Sequence, residues 1–369
     1  MHVIGRGAIA DEVAEWTWDS RPTGTGHLGH YLARDGSPGA TVGIDTNHPH
    51  AALVVGKRGA GKSHTLGVLA EATARTQGVA PVVVDPMGAF EGLAEQEPAD
   101  GEAVPARVVD DPTVQADAVP PAAWPSLVGL DPSEGPGALV WEAAAATATL
   151  DAMLDALDRA DTERDIRRPA RNHLRRALEW GVFDPAGLTV EGLLGPEATV
   201  LSLAGVPDAP TSAVVAAVAR LLYEARTQPN PPVRLPWLVV DEAHVAVDGV
   251  AEQALRTLLT RGRAPGVSLV LATQRPTALP AVAASQADLL VAHRLTSEAD
   301  IAALSAASPT YLDGRLRDRL PTGRGEALVV DDATESVHTL RIRGRDTPSG
   351  GATPLASEIA EPAMREQSD

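Results

Sequence analysis

A glycine-rich turn, set between an apolar run and a helical run, holds the residues best suited to chemistry. The segment LVVGKRGAGKSHTL, residues 53–66, fits the pattern G-x-x-x-x-G-K-[ST]. In this pattern the glycines let backbone N–H groups curl around the β- and γ-phosphates of a nucleotide, while the helix N-terminus adds partial positive charge. Lys62 would reach the phosphates, and Ser63 would hold Mg²⁺ through its hydroxyl. The predicted nucleotide contacts are Gly56, Lys57, Arg58, Gly59, Ala60, Gly61, Lys62, Ser63 and His64.

An acidic pair follows a second apolar run, in the sequence WLVVDEAH at residues 237–244. Such a run predicts a buried strand that delivers both carboxylates to the sheet edge beside the phosphates. Asp241 would bind the Mg²⁺ shell, usually through water, and Glu242 would orient and polarise the attacking water. An Asp-Glu pair after an apolar run is strong evidence only when it follows a phosphate loop in an α/β pattern. Together the two segments predict ATP and Mg²⁺ as cofactors and ATP hydrolysis as the activity.

Polar residues also end two other predicted strands. The strand at 268–272 is followed by Thr-Gln-Arg-Pro. In this class of ATPase, a polar residue at the tip of the strand between the phosphate-loop strand and the acidic-pair strand senses the γ-phosphate. Gln274 fits that place because its side chain both donates and accepts hydrogen bonds. Asp85 ends the apolar strand 80–85, where α/β sheets place their ligands, and either a nucleotide-related role or a turn-capping role is open for it.

The elements that carry these residues alternate between strand and helix. Buried parallel strands are predicted by apolar runs at residues 51–55, 80–85, 199–203, 237–240, 268–272 and 287–292. Helical patterns lie between several of them, at residues 62–76, 212–226 and 249–261. This alternation predicts an α/β fold of the RecA type, which is a mostly parallel sheet with helices on both faces.

The same patterns suggest how the chain is divided. A short N-terminal segment, residues 1–45, carries no chemical motif and is expected to form a strand or two that cover the core or a neighbouring subunit. The ATPase domain is predicted at residues 46–345, with an inserted helical subdomain at about 95–195 that is rich in Pro, Asp and Ala at its start. Residues 346–369 are expected to form a disordered tail.

Two Ala-rich helices, 138–157 and 162–180, are predicted within the insertion. The second contains the strongest cationic cluster of the chain, in which helical spacing places four arginines on one face: Arg164, Arg168, Arg171 and Arg175. Two interpretations are open. The face is either solvated and paired with nearby aspartates, namely Asp151, Asp155, Asp158, Asp161 and Asp165, or it faces DNA or a neighbouring subunit.

The composition is strongly acidic, with a net charge of −18 and a pI near 4.9. Lys57 and Lys62 are the only lysines, which is typical of a protein that works in multimolar salt, where charges are screened; a GC-rich genome is the alternative. The chain has no cysteine, which excludes disulfides and thiolate chemistry. It also lacks the patterns of a signal peptide and of a membrane span, so a cytoplasmic location is expected. The negative charge argues against non-specific nucleic-acid binding through the general field.

The motifs taken together resemble the HerA/FtsK group of P-loop ATPases, and most closely its HerA-like branch. The matching segments are LVVGKRGAGKSHTL, VVVDPMGAF, TVLSLAGV, LVVDEAH, RGRAPGVSLVLATQRP and LPTGRGEALVV. The resemblance covers about residues 42–343, apart from the insertion. It implies a RecA-like domain that assembles as a ring, usually a hexamer, with ATP at the subunit interfaces. It also implies that Arg263 is an arginine finger for the neighbouring subunit, where a guanidinium would stabilise transition-state charge.

Members of this group pump or unwind duplex DNA, and HerA proteins commonly act with a nuclease. The leading prediction is therefore a DNA translocase or helicase. The short N-terminal segment has no room for the full β-barrel of HerA proteins, and the acidic charge is atypical of a DNA motor. Two alternatives are an ATP-dependent switch or assembly factor acting on a protein partner, and a motor for conjugation or secretion.

Overall fold

A computed structural model describes residues 1–6, 17–19, 21–33, 35–95, 103–307, 310–312 and 314–350 of the chain. The strands are β1 His2–Ile4, β2 Thr25–Leu32, β3 Pro38–Asp45, β4 Ala51–Val55, β5 Val79–Asp85, β6 Ala106–Val109, β7 Ala198–Ser202, β8 Leu235–Val240, β9 Ser268–Thr273, β10 Leu289–Ala292, β11 Glu326–Asp331 and β12 Ser336–Ile342. The helices are α1 Lys62–Ala74, α2 Trp124–Leu127, α3 Gly135–Ala146, α4 Leu150–Arg159, α5 Arg164–Glu179, α6 Val190–Leu193, α7 Asp208–Thr227, α8 His244–Val247, α9 Glu252–Arg261, α10 Ala281–Gln286, α11 Glu298–Ala306 and α12 Leu316–Arg319. Short 3₁₀ turns cover Glu91–Ala94, Ala116–Ala118, Pro121–Ala123 and Pro276–Ala278.

The strands of the described residues form one 12-stranded sheet in the order β1-β3-β2-β12-β11-β10-β4-β9-β8-β5-β7-β6. From β10 to β6 every neighbouring pair is parallel. Beyond β10 the hairpin of β11 and β12 continues the sheet in antiparallel fashion. The predicted α/β fold with a mostly parallel sheet is confirmed.

The strand that leads into the phosphate loop is buried on both faces. Along β4, Leu53 and Val55 belong to the core on the side of α7 and α9, whereas Ala52 and Val54 belong to the core on the side of α1. Because successive side chains of a strand point to opposite faces, a strand covered on both sides needs an uninterrupted apolar run. The parallel strands end at a common edge of the sheet, so the polar residues that follow them meet there.

The residues before β4 extend the antiparallel end of the sheet. β2 pairs with β12, β3 pairs with β2, and β1 lies at the edge. Leu28, Val42 and Ile44 are buried in the same core as α1. The sequence predicts a strand or two for residues 1–45, whereas the structure has three strands there. They belong to the same sheet as β4, because β2 pairs with the edge that β12 offers.

The insertion contains the edge strand β6 and the helices α2 to α6. Helices α2 to α5 pack around a core of their own, in which Trp124 and Leu174 are fully buried, whereas Leu193 of α6 belongs to the core beside α7. The prediction of one continuous helix over 138–157 is wrong, because the chain breaks between α3 and α4. Thr149 caps α4, and its side chain accepts a hydrogen bond from the N–H of Ala152 at 3.2 Å. A threonine cap favours a new helix start over continuation.

The C-terminal segment packs against the phosphate-loop helix. The buried Glu71 side chain accepts hydrogen bonds from the N–H groups of Asp346 and Thr347, each at 3.0 Å. The packed chain therefore continues into the predicted disordered tail, 346–369, of which residues 351–369 lie outside the described part. Within the described residues, no helix has the length and apolar character needed to span a membrane.

Candidate functional site

The phosphate loop joins β4 to α1, and the structure explains why glycine is needed at three of its positions. Gly59 and Gly61 have φ angles of 76° and 125°, in the region that favours glycine. A Cβ atom on Gly56 would lie 2.7 Å from the Cβ of His293, so that position has no room for a side chain. Helix α1 begins directly after Gly61, without a side-chain cap or an acidic residue in its first turn. The free N–H groups at this helix start can therefore bind an anion.

Ser63 and Asp241 lie side by side, although 178 residues separate them in the sequence. The Ser63 hydroxyl donates a hydrogen bond to Asp241 Oδ2 at 2.7 Å. Burial raises the pKa of the Asp241 carboxyl to about 6, while the hydrogen bonds from Ser63 and Glu242 and the charge of Lys62 act in the opposite direction. Hydroxyl and carboxylate oxygens suit Mg²⁺, and a divalent cation would offset the cost of the buried charge. The pair thus fits the metal-binding role predicted for both residues.

Glu242 has a backbone conformation that is unusual for a residue other than glycine, with a φ angle of 46°. Its N–H donates to Asp241 Oδ1 at 2.9 Å, within the turn that follows β8. In the described chain its Oε2 has no hydrogen-bond partner, although it lies 3.3 Å from His244 Nδ1. Unusual backbone and unpaired buried polar atoms cluster at functional sites. The predicted role of Glu242 in orienting water stays a prediction.

Gln274 follows β9, which lies between β4 and β8 as the sequence predicts. Thr273 is the register partner of Val55, so Gln274 comes next to Gly56, the first residue of the phosphate loop. The Gln274 side chain is half-buried. This position adjoins both the loop and the acidic pair, and it suits the predicted γ-phosphate sensor.

Arg263 lies at the opposite edge of the sheet, because it precedes β9 instead of following it. Its guanidinium is 3.5 Å from Asp288 Oδ2. The other oxygen of Asp288 accepts a hydrogen bond from the N–H of Ala51, the first residue of β4, at 2.8 Å. The length of β4 therefore separates Arg263 from the phosphate loop of its own chain. A role as an arginine finger stays a prediction, and it requires a second copy of the chain.

Two other residues of the sequence analysis use their side chains for structural contacts. His64 Nε2 lies 2.7 Å from the carbonyl oxygen of Arg343, so the C-terminal segment holds this ring. The backbone N–H is then what His64 offers to the loop. The carboxylate of Asp85 accepts hydrogen bonds from the N–H groups of Ala89 at 3.0 Å and Phe90 at 2.8 Å. These contacts support the turn-capping interpretation of Asp85.

His293, which the sequence analysis does not identify, lies against the phosphate loop. It directly follows β10, the neighbour of β4 on the side away from β9. Its Nε2 is 2.9 Å from the Thr65 hydroxyl, and its Nδ1 is 2.8 Å from the carbonyl oxygen of Glu326. A signal for it exists in the sequence, since a polar residue that ends an apolar strand also identifies Asp241.

The basic face predicted in the insertion lies on α5. Arg171 pairs with Asp158 at 3.1 Å, and Arg167 donates to the carbonyl oxygen of Thr162. Across the described ranges no ion pair is formed by the four exposed arginines of this helix, which are Arg164, Arg168, Arg175 and Arg176. Pairing with aspartates therefore accounts for only one arginine of the face.

Comparison with known proteins identifies the fold. No protein-family model matches the sequence, and no curated protein matches it. The structure is similar to that of VirB4 of Thermoanaerobacter pseudethanolicus, with a TM-score of 0.67 and 18% identity over 88% of this chain and 98% of that chain. It is also similar to the bacterial conjugative coupling protein TrwBΔN70 in complex with sulphate, with a TM-score of 0.57 and 18% identity over 87% and 92% of the two chains. The plasmid coupling protein TrwB in complex with the GTP analogue GDPNP gives 0.56 and 16% over 82% and 87%. The chain therefore shares with these proteins its fold, a mostly parallel α/β sheet with helices on both faces.

Proposed function

We propose that this chain is a Mg²⁺-dependent ATPase. The observation that carries the proposal is the hydrogen bond of 2.7 Å between Ser63 and Asp241, which joins the phosphate loop to the acidic pair at one sheet edge. The free N–H groups at the start of α1 and the side chain of Lys62 bind the phosphates. Ser63 and Asp241 hold Mg²⁺, which neutralises phosphate charge when it is bound.

The other residues of the site act on water and on the terminal phosphate. Glu242 accepts a hydrogen bond from the attacking water through its carboxylate, orients it and polarises it. Gln274 contacts the γ-phosphate from the end of β9. Ring assembly, with Arg263 of one copy acting at the nucleotide site of the next, is part of the same proposal.

Replacement of Glu242 by Gln tests the ATPase proposal, because it removes the base and keeps the shape. We expect binding of Mg²⁺–ATP to be intact by calorimetry, while hydrolysis falls at least 100-fold, within the usual range for loss of a general base. Glu224→Gln, at an exposed glutamate of α7, is the matched control and should leave turnover unchanged. Wild-type protein that fails to bind ATP in the presence of Mg²⁺, or Glu242→Gln protein that retains turnover, would refute the proposal.

The use of the ATPase that we favour is a DNA translocase or helicase, and a motor for conjugation or secretion is an alternative. The supporting observation is the set of exposed arginines on α5, in a chain that is otherwise strongly acidic. Arginine recognises phosphate through paired N–H groups, so this face is suited to a nucleic-acid backbone. The similar structures named above include conjugative coupling proteins, which agrees with the alternative of a motor for conjugation.

The DNA proposal is tested by ATPase rates with and without duplex DNA, in multimolar KCl and in low salt. We expect severalfold stimulation that is lost in the double variant Arg164→Glu and Arg168→Glu. The double variant Arg256→Glu and Arg315→Glu, at exposed arginines outside the insertion, is the control and should keep the stimulation. An ATPase rate that does not respond to DNA at either salt concentration would favour the alternative, a switch or assembly factor that acts on a protein partner.

A further inference from the structure

The His293 ring is enclosed by groups from the phosphate loop and from the hairpin of β11 and β12. Its Nδ1 faces the carbonyl oxygen of Glu326, which can only accept a hydrogen bond, so Nδ1 carries the proton. Burial lowers the pKa of His293 to about 4, and the ring is therefore neutral at neutral pH. The neutral ring has one N–H, so Nε2 accepts a hydrogen bond from the Thr65 hydroxyl. Both ring nitrogens are thus satisfied by one tautomer.

The backbone beside His293 contacts the same loop. The N–H of Lys57 donates to the carbonyl oxygen of Arg294 at 2.9 Å. A Cβ atom added to Gly61 would lie 3.3 Å from the His293 ring, and one added to Gly56 would lie 2.7 Å from its Cβ. The loop therefore rests on His293 at its first glycine and at its last glycine.

We propose that His293 is a positioning residue that fixes the phosphate loop and the start of α1 against the β11–β12 hairpin. The inference rests on the proposed function, since it assigns a residue to the same nucleotide site. Its consequence is that the hydrogen bond from Thr65 to His293 sets the fraction of molecules whose loop is ready to bind phosphate. The apparent affinity for nucleotide is reduced in proportion when that fraction falls.

The experiment compares Thr65→Val with Thr65→Ser in the full chain, and measures binding of Mg²⁺–ATPγS and steady-state hydrolysis. Valine has nearly the shape of threonine but leaves His293 Nε2 without a donor, whereas serine keeps the hydroxyl. We expect Thr65→Val to raise the dissociation constant and KM about fivefold to tenfold, the equivalent of one buried hydrogen bond. Its kcat should stay within about twofold of wild type, because neither Thr65 nor His293 touches the reacting atoms. Thr65→Ser should behave like wild type.

His293→Ala should raise KM by at least as much as Thr65→Val, and the double variant should not be worse than His293→Ala alone. His173→Ala is the matched control, since His173 Nδ1 also lies within hydrogen-bond distance, 2.6 Å, of a carbonyl oxygen, that of Val128 in the insertion. It should lower thermal stability without changing KM. If His293→Ala and Thr65→Val lower only thermal stability and leave KM unchanged, the positioning role is refuted while the ATPase proposal stands. A wild-type protein that does not bind nucleotide refutes the ATPase proposal and this one together.

Discussion

The buried charge of Asp241 predicts that Asp241→Asn stabilises the metal-free protein while it weakens nucleotide binding. Burial raises the pKa of this carboxyl from its ordinary value of 3.8 to about 6. At about 1.4 kcal/mol per pKa unit, the charged carboxylate lowers the free energy of unfolding by roughly 3 kcal/mol. Asparagine carries no charge, and its neutral amide makes weaker hydrogen bonds to Ser63 and Glu242 than the carboxylate does, a loss of about 1 kcal/mol. The expected net gain is about 2 kcal/mol above pH 7.

The direction of the pH dependence follows from the raised pKa. Between about pH 4 and pH 6 the native protein binds a proton that the unfolded chain has lost, so the free energy of unfolding falls as the pH rises through this range. Asp241→Asn lacks this dependence. The difference in stability between the two proteins should therefore be about 2 kcal/mol at pH 7.5 and below roughly 1 kcal/mol at pH 5.

Urea unfolding in EDTA at these two pH values measures the difference. Asp155→Asn, at an exposed aspartate of α4, is the control and should show no such effect. If Asp241 holds the metal as proposed, added Mg²⁺–ATPγS should stabilise the wild type and leave Asp241→Asn almost unchanged. If Asp241→Asn is less stable than the wild type at pH 7.5, the charge of Asp241 does not lower the free energy of unfolding, and the reasoning is refuted.

Two further predictions concern the packing around the phosphate-loop helix. Glu71→Ala removes the buried carboxylate that lies 2.7 Å from the Arg343 guanidinium, which then keeps only Asp346, at 3.2 Å. The variant should lose about 3 kcal/mol of stability and show faster hydrogen exchange at the Thr347 amide. Unchanged exchange at that amide would contradict the anchoring role of Glu71. Gly56→Ala places a Cβ 2.7 Å from that of His293 and should cost about 1–3 kcal/mol in urea unfolding and weaken ATPγS binding. Binding equal to wild type would show that the loop can move away from His293.

The strand residues were predictable because burial on both faces leaves a clear pattern. The apolar run of β4 and the run before Asp241 both correspond to strands whose two faces lie in the core. The loop glycines were also predictable from the motif. The steric reason for Gly56 was not, since the side chain that leaves no room there is that of His293, which is far along the sequence. The helix break at Thr149 was missed, because a single capping residue is a weaker sequence signal than the Ala-rich helical pattern around it.

Contacts between distant segments could not be predicted from sequence. The end of an apolar strand marks His293 as a candidate, but its partners are known only from the order β11-β10-β4, because the ring contacts elements on both sides of β10. The place of the three strands formed by residues 1–45 also depends on a distant contact, because β2 pairs with β12, and local sequence does not reveal this pairing. The sequence pattern therefore predicts the strand ends that carry the candidate site residues, whereas the residues that hold these in place are known only from the order of the strands in the sheet.

The two edges of the sheet set a requirement on assembly. Ser63, Asp241, Glu242 and Gln274 meet where the parallel strands end, whereas Arg263 lies where β9 begins, next to Asp288. No rotation of a side chain spans β4, whose five residues extend over about 13 Å between those edges. An arginine finger at position 263 must therefore come from a neighbouring copy, and it must leave Asp288 to do so. The Arg263 side chain is exposed and its contact with Asp288 is long, at 3.5 Å, while Asp288 keeps its hydrogen bonds to His50 and Ala51 when Arg263 leaves. The geometry is therefore compatible with that exchange.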